Sequence, residues 1–186
     1  MPNILQSVSL RWLIAVLAYP IGGFLGHLVG GPASTIPAAL ISGVIAGAII
    51  GLGQGLAVNL RGQSLAAWAA VTAVGLGLSL AAVTAAIGQI STMAEAIALG
   101  AIAGLVLGAG QAVVLHRRGV RGSWMWVPAS GAAWAVGWLV TSSIGVALAT
   151  GWPVYGLSGA LASQVITGIV VWRLLASRLS YVASAA

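Results

Sequence analysis

Two glutamines stand inside apolar runs of this chain, each seven residues before an arginine. Gln54 lies in "GLGQGLAVNLRG", residues 51–62, and Gln111 lies in "GAGQAVVLHRRG", residues 108–119. This spacing is nearly two helical turns, so the arginine can reach a membrane surface while the amide stays roughly 10 Å deeper on the same face. An amide in hydrocarbon needs a partner. Gln54 and Gln111 are therefore predicted either to form interhelical hydrogen bonds or to line a polar ligand-binding site.

His27 is the candidate ligand for a large cofactor. The stretch "GGFLGHLVGG" surrounds it with glycines at positions 22, 23, 26, 30 and 31. A planar macrocycle such as haem or a chlorophyll-type pigment needs that kind of room beside an axial imidazole. His116, the other histidine, adjoins arginines and is not expected at the same depth. His27 is predicted either to ligate such a pigment or to form a hydrogen bond between helices.

Glu95 is the only carboxylate side chain in the sequence. A lone acid in a membrane protein is a candidate proton relay. The pattern T-x-x-E, formed with Thr92, instead predicts a capping box at a helix start. The capping box accounts for Glu95 without any catalytic role.

Ser158 lies in "GLSG", residues 156–159, and this stretch resembles the G-x-S-G around the nucleophile of rhomboid intramembrane proteases, which also have a six-helix core. The resemblance implies a Ser158 nucleophile with a histidine base. Of the two histidines only His27 is expected at a comparable depth, and it precedes the serine instead of following it. In the repeat described below, Ser158 takes the place of Ala46 and Ala103, which predicts a small packing residue. The sequence therefore predicts no enzyme, with a rhomboid-like protease as the remote alternative.

The composition excludes a soluble protein. Among 186 residues, 60% are hydrophobic and 4% are charged, and the mean hydropathy is +1.10. So much apolar surface cannot be buried in the chain's own interior, which predicts an all-α membrane protein with a single transmembrane domain over residues 1–186. Seven arginines against one acid indicate orientation in a lipid bilayer and no nucleic-acid partner, because no basic stripe is interleaved with aromatic residues. Cysteine is absent, and no metal site is predicted.

Glycine, proline and arginine divide the chain into six apolar runs long enough to cross a membrane. The predicted spans are 11–29, 36–60, 65–88, 93–116, 123–149 and 153–176. Thr35 with Pro37, the Thr92 capping box and Pro153 are predicted to open the second, fourth and sixth spans.

The arginines and tryptophans predict the orientation. All seven arginines fall on one side of these spans, so the positive-inside rule places both termini in the cytoplasm. The absence of lysine beside abundant arginine, alanine and glycine is typical of GC-rich bacterial genomes, so the expected location is a bacterial inner membrane. Tryptophans 12, 68, 124, 126 and 172 near the arginine side, with Trp152 near the other, predict aromatic belts at the two surfaces.

Glycines recur every fourth residue in corresponding spans, a pattern typical of close helix packing. The packing glycines are Gly43, Gly47 and Gly51 in the second span, Gly100, Gly104 and Gly108 in the fourth, and Gly159 in the sixth. The stripes are predicted to face either the same chain or a partner.

Alignment of Gly47 with Gly104 superposes Gln54 on Gln111 and defines a hairpin repeat. A third copy, with Gly159 set on Gly104, puts Ile166 at the glutamine position and leaves Gln164 out of register. We expect three repeated helical hairpins, the third circularly permuted, in a pseudo-threefold arrangement.

The hairpins resemble uncharacterised small bacterial polytopic membrane proteins with repeated G-x-x-Q-x-x-x-L-x-x-R hairpins, over the range 43–137. The first copy has Val58 at the leucine position. The resemblance implies a bundle of repeated hairpins and brings no activity or substrate with it.

By exclusion, the expected function is a non-enzymatic accessory or assembly subunit of a larger bacterial membrane complex, in one version carrying haem or a chlorophyll-type pigment at His27. Its expected partners are other membrane subunits or further copies of the chain. The alternative is a small channel or transporter for a neutral solute, with Gln54 and Gln111 as a polar constriction.

Overall fold

The computed structural model describes residues 2–145 and 148–184, with side chains described for 7–145, 148 and 150–174. All regular secondary structure in these ranges is helical, which confirms the all-α class. The long helices are α1 (Pro2–Ile14), α2 (Ala18–Gly30), α3 (Ile36–Ala57), α4 (Gly62–Ile87), α5 (Met93–Arg117), α6 (Trp126–Ser143) and α7 (Leu157–Ser184). Short 3-10 turns occupy Ala15–Leu17, Ser123–Met125 and Leu148–Thr150.

Within the described part of the chain, five helical stretches are long and apolar enough to cross a membrane, as a multi-pass membrane protein requires. They are Ser7–Gly30, Ile36–Ala57, Gly62–Ile87, Met93–Arg117 and Leu157–Leu174. The helix α6 has 18 residues and packs between α5 and α7, but it is not one of these five stretches. Its tryptophans, serines and proline make it less apolar than its neighbours.

Local chemistry sets several helix boundaries. The Thr35 side chain accepts a hydrogen bond from Ala38 N at 3.4 Å, and Thr92 forms the reciprocal capping box with Glu95, so both predicted caps are confirmed. The first span is not one straight helix. Pro20 has no N–H to offer the Val16 carbonyl, and a 3-10 turn separates α1 from α2 at that point.

The predicted end of the fifth span and the predicted start of the sixth span were wrong. The helix α6 ends at Ser143 and not at residue 149, because Gly145 takes a left-handed conformation with φ of +82° that ends the helix. Pro153 does not open α7, which begins at Leu157. The segment 151–156 is irregular because it carries Tyr155 into the core, where that ring stacks on the Tyr19 ring with centroids 5.4 Å apart.

The predicted packing glycines lie where helices of the same chain approach most closely. Stripe residues Gly43, Gly47 and Gly51 face α4, whereas Gly100, Gly104, Gly108 and Gly159 face α6. A Cβ atom on Gly47 would lie 2.6 Å from the Thr72 carbonyl oxygen, and one on Gly100 would lie 2.6 Å from that of Trp134. These distances leave no room for any side chain. The pairs α3–α4 and α5–α6 are consequently the most extensively packed in the molecule.

The six arginines with described side chains are all exposed and mark one end of the bundle, called here the arginine end. Arg11 donates to the Asn59 side chain there, and Arg118 Nη1 donates to Ser64 Oγ at 3.1 Å. The loops 31–35 and 88–92 and the segments 144–145 and 148–156 form the opposite end. At that end the Ala33 amide donates to the Gly151 carbonyl at 2.9 Å, which ties two of these loops together.

Two apolar clusters fill the interior. One cluster, which lies toward the opposite end, includes Ile50, Leu107 and Ala160. The other, toward the arginine end, includes Ala57, Ala112 and Val171. Each of α3, α5 and α7 contributes to both clusters, and each carries one glutamine between its two contributions.

Candidate functional site

Three glutamines from three helices meet in the interior and form what we call the glutamine layer: Gln54 of α3, Gln111 of α5 and Gln164 of α7. Their exposed fractions are 4%, 3% and 0%. Because each is flanked along its helix by residues of the two apolar clusters, the layer is a polar sheet within an apolar core. Amides in such a place must be hydrogen-bonded.

Gln54 is the centre of the layer. Its Nε2 donates to Tyr19 Oη at 3.0 Å and to Gln164 Oε1 at 3.3 Å. Its Oε1 accepts from Gln111 Nε2, also at 3.3 Å. The side chain of Gln54 therefore links α2, α5 and α7 to α3.

Gln111 connects the second hairpin to the first. Its Nε2 also donates to Thr72 Oγ1 at 2.9 Å, and its Oε1 accepts from Trp126 Nε1 at 2.7 Å. Both amide hydrogens and the amide oxygen are thus engaged by groups of the same chain. Of the two interpretations of these glutamines, the interhelical hydrogen bond matches this geometry directly.

Gln164 was missed as the third glutamine, and the register that put Ile166 at this position was wrong. Gln164 is fully buried, whereas Ile166 is half-buried. The Gln164 Nε2 donates to the Trp12 carbonyl at 2.8 Å, and the indole Nε1 of Trp12 donates to the Gln164 carbonyl at 3.1 Å. Alignment on Gly159 failed because Gln164 follows that glycine by five residues, whereas Gln111 follows Gly104 by seven. The readable signal was that Gln6, Gln63 and Gln89 lie outside the six predicted spans, which leaves Gln54, Gln111 and Gln164 inside them.

Three tryptophans form a second layer beside the glutamines. Trp12, Trp68 and Trp126 are each 1% exposed, so their assignment to an aromatic belt was wrong. The Trp126 ring packs on Trp12 and on Trp68 with centroids 5.7 and 6.0 Å away. Two of the indoles donate hydrogen bonds to glutamines, but Trp68 Nε1 has no partner among the described residues. The hydrogen bonds of Trp12 and Trp126 favour their burial, because an indole N–H in the bilayer core needs an acceptor. The burial of Trp68 depends on its ring contact with Trp126. Trp124 and Trp172 remain exposed.

The space around His27 does not fit a macrocycle. A Cβ atom on Gly22 would lie 2.9 Å from the Ala46 carbonyl oxygen, and one on Gly30 would lie 2.5 Å from the Ser42 nitrogen. These glycines admit the backbone of α3, so the room expected for haem or a chlorophyll-type pigment is already filled. The His27 ring instead packs on Trp152, with centroids 4.4 Å apart and the ring planes tilted by 30°.

The two candidate catalytic side chains have structural surroundings. Glu95 Oε2 accepts from the Thr92 nitrogen at 2.9 Å and the Ser91 nitrogen at 2.8 Å, which confirms the capping box and accounts for Glu95 without a relay. Ser158 is half-buried at the start of α7. Among the described residues, no hydrogen bond joins the His27 ring to Ser158, and His27 Nδ1 has no partner. The rhomboid-like dyad therefore has no geometric support.

The chemistry available in the glutamine layer is that of neutral amides, hydroxyls and indoles. Within the described ranges, no three histidine, cysteine, aspartate or glutamate side chains come together to hold a metal ion. Such groups bind and position, but they do not supply a nucleophile or a general base at neutral pH. No protein-family model, curated protein or solved structure matches this chain.

Proposed function

We propose that this chain is a non-enzymatic accessory or assembly subunit of a larger bacterial membrane complex. The observation that carries the proposal is the glutamine layer, in which Gln54, Gln111 and Gln164 direct their amides to groups of the same chain. These hydrogen bonds hold the helices of one chain together and leave the three amides engaged within it. We therefore expect partners to bind at the outer surface of the bundle.

That outer surface suits lipid and other membrane helices. Large apolar side chains are exposed on the first and last helices, including Leu13, Leu17, Val165, Ile169 and Trp172. The helices α1 and α7 pack less extensively than α3–α4 or α5–α6, and a groove between them is lined by the small residues Ser9 and Gly168. Small residues permit close approach of a further helix.

The proposal includes six crossings, with α6 as the fifth, and a pseudo-threefold arrangement of three hairpins. Its support is the occurrence of one buried glutamine in each of α3, α5 and α7, beside the layer of Trp68 from α4, Trp126 from α6 and Trp12 from α1. Both termini are placed in the cytoplasm because the exposed arginines share one end.

Purification of the tagged full-length protein from its native membranes in a mild detergent tests the proposal. We expect a stable assembly in which the same additional chains appear at fixed stoichiometry in mass analysis, and in which they persist after exchange into nanodiscs. A matched preparation of an unrelated polytopic protein from the same membranes removes chains that bind nonspecifically. A monodisperse species containing this chain alone would overturn the accessory-subunit assignment.

A channel or transporter for a neutral solute is the second candidate, favoured by the meeting of Gln54 and Gln111 at one level. Solute would have to replace the hydrogen bonds of the layer and pass two apolar clusters. The test is uptake of neutral solutes into proteoliposomes by the native chain and by the Gln54→Leu, Gln111→Leu double variant. Uptake by the native chain that the double variant loses, while it still folds, would put transport first.

A further inference from the structure

A groove of about 400 Å³ runs along the outside of the bundle, between the first membrane-spanning stretch and α3. It follows the first stretch from Arg11 to Ile21, and it follows α3 from Ala57 back to Ile49. The helix between Arg11 and Ile21 rises by about 15 Å. The hydrocarbon core of a bilayer is about 30 Å thick, so the groove is as long as one lipid leaflet is deep.

The groove exists because the first stretch is interrupted near Pro20, where a 3-10 turn separates α1 from α2. The helix α2 packs extensively on α3, whereas α1 packs more on α7 than on α3. The groove is closed at its deep end, because a Cβ atom on Gly22 would lie only 2.9 Å from the Ala46 carbonyl oxygen. It therefore begins at the arginine end and stops about halfway across the membrane.

Small side chains form the floor of the groove, and large ones form its rims. Ala15 and Ala57 line it and are only 7% and 4% exposed. Ile14 and Leu56 line it as well but are 56% and 51% exposed, so they stand out on its two sides. Apart from Arg11, every lining residue is apolar. A narrow apolar groove of this kind is complementary to an extended hydrocarbon chain.

Arg11 places a positive charge where the groove reaches the arginine end. Its Nη1 donates to the Asn59 side chain, and its Nη2 donates to Ser7 Oγ at 3.4 Å. Asn59 follows α3 in a left-handed conformation with φ of +58°, which asparagine adopts more readily than most residues. These two bonds orient the exposed guanidinium and leave its other N–H groups for an anion.

The charge of Arg11 has no acidic side chain to neutralise it. Glu95, the only carboxylate side chain in the sequence, caps α5 at the opposite end of the bundle. An arginine at a membrane surface attracts anionic headgroups, and its planar fork matches the oxygens of a phosphate. The groove therefore offers a cation at headgroup level and an apolar surface directly below it.

We propose that this groove binds one anionic phospholipid, with its phosphate at the Arg11 guanidinium and an acyl chain between α1 and α3. A further transmembrane helix fits less well, because it would have to span about 30 Å and α2 closes the groove halfway. The site differs from the groove between α1 and α7, and it does not depend on the accessory-subunit assignment.

Phosphatidylglycerol and phosphatidylcholine with identical acyl chains are matched probes for this site, because only the first carries a net negative charge. Each lipid is titrated into the delipidated full chain in a mild detergent, and native mass spectrometry counts the lipid molecules bound per chain. We expect the first phosphatidylglycerol to bind about fivefold more tightly than the first phosphatidylcholine, as one arginine at a membrane surface predicts. Equal affinities for the two lipids would overturn the proposal.

Arg11→Gln tests the headgroup contact. Arg11 is exposed, so the variant should fold, and we expect its affinity for phosphatidylglycerol to fall to that for phosphatidylcholine. Arg117→Gln removes the same charge from an exposed position at the end of α5 and should keep the preference. An equal loss in both variants would show that the preference follows net charge and not the groove.

Ala18→Leu tests the acyl-chain contact. Ala18 lines the groove and is half-buried, so a leucine there fills the groove and should weaken both lipids about threefold or more through lost apolar contact. Ala70→Leu adds the same side chain on the exposed surface of α4 and should leave binding unchanged. Equal affinities in these two variants would contradict the assignment. Arg11→Gln carries the test if Ala18→Leu does not fold.

Discussion

Gln111 Nε2 donates to Gln54 Oε1 at 3.3 Å, across a sequence separation of 57 residues. The same separation relates Gly104 to Gly47, on which the predicted hairpin repeat is aligned. The amide pair joins α3 to α5 in the interior of the molecule.

Gln111→Leu should destabilise the fold by about 2 kcal/mol or more, since interhelical hydrogen bonds in membrane proteins average about 0.6 kcal/mol and the variant also leaves the Trp126 N–H unpaired. The free energy of unfolding is measured from detergent-to-SDS titrations followed by circular dichroism. Gln63→Leu, at an exposed position on α4, is the control and should change little. Equal stability in the two variants would show that the layer does not hold the helices together.

Trp126→Phe and Trp68→Phe form a matched pair. Both rings are 1% exposed, but only Trp126 Nε1 donates a hydrogen bond, at 2.7 Å to Gln111 Oε1. We expect Trp126→Phe to lower the free energy of unfolding by about 1 kcal/mol more than Trp68→Phe, the contribution of one hydrogen bond. The same titration measures both. A larger loss in Trp68→Phe would mean that its N–H is bonded in the membrane.

Gly47→Leu should prevent normal packing of α3 on α4, because the added Cβ would lie 2.6 Å from the Thr72 carbonyl oxygen and backbone cannot move aside as a side chain can. Over-packing of this kind is destabilising by about 3 kcal/mol or more. The measurement is the monodisperse fraction in size-exclusion chromatography. Ala70→Leu, on the exposed side of α4, should behave like the native chain. Similar yields from both variants would refute close packing at the stripe.

Reporter fusions determine the number and direction of the crossings. Fusions after Gly62 and Gly119 should report the cytoplasm, and fusions after Gly31 and Gly88 should report the other side. The fusion after Gly145 tests α6, because it reports the outside only if α6 crosses the membrane. A cytoplasmic signal at Gly145 would reduce the chain to five crossings.

The features that were predictable from sequence are those in which chemistry acts over a few residues. Thr35 and Thr92 cap helices because a hydroxyl three residues before an orphan N–H satisfies it whatever the rest of the chain does. Glycine stripes work in the same way, since the absence of side chains at every fourth position creates a flat helix face. The capping pattern can be recognised within one helical turn, and the glycine pattern within one helix.

The features that were not predictable depend on the partner across the interface. Trp68 near a helix end is typical of a membrane surface, and only its contact with Trp126 shows that it is buried. Pro153 is a favourable first residue for a helix, but the burial of Tyr155 against Tyr19 overrides that local preference. Gln164 was out of register because α7 packs on α6 through Gly159 and on α1 through another face.

The bond between Trp12 and Gln164 spans 152 residues of sequence, and this separation fixes an order of events during synthesis. The first helix enters the bilayer long before the last one leaves the ribosome. Until α7 arrives, the Trp12 indole has no glutamine carbonyl to bind and Gln54 lacks one of its acceptors. The helices inserted before α7 therefore lack these two hydrogen bonds. The bonds form only when the last helix packs against α1 and α3. We expect a chain that terminates before Gln164 to be less stable than the full chain, because those donors have no partner in α7.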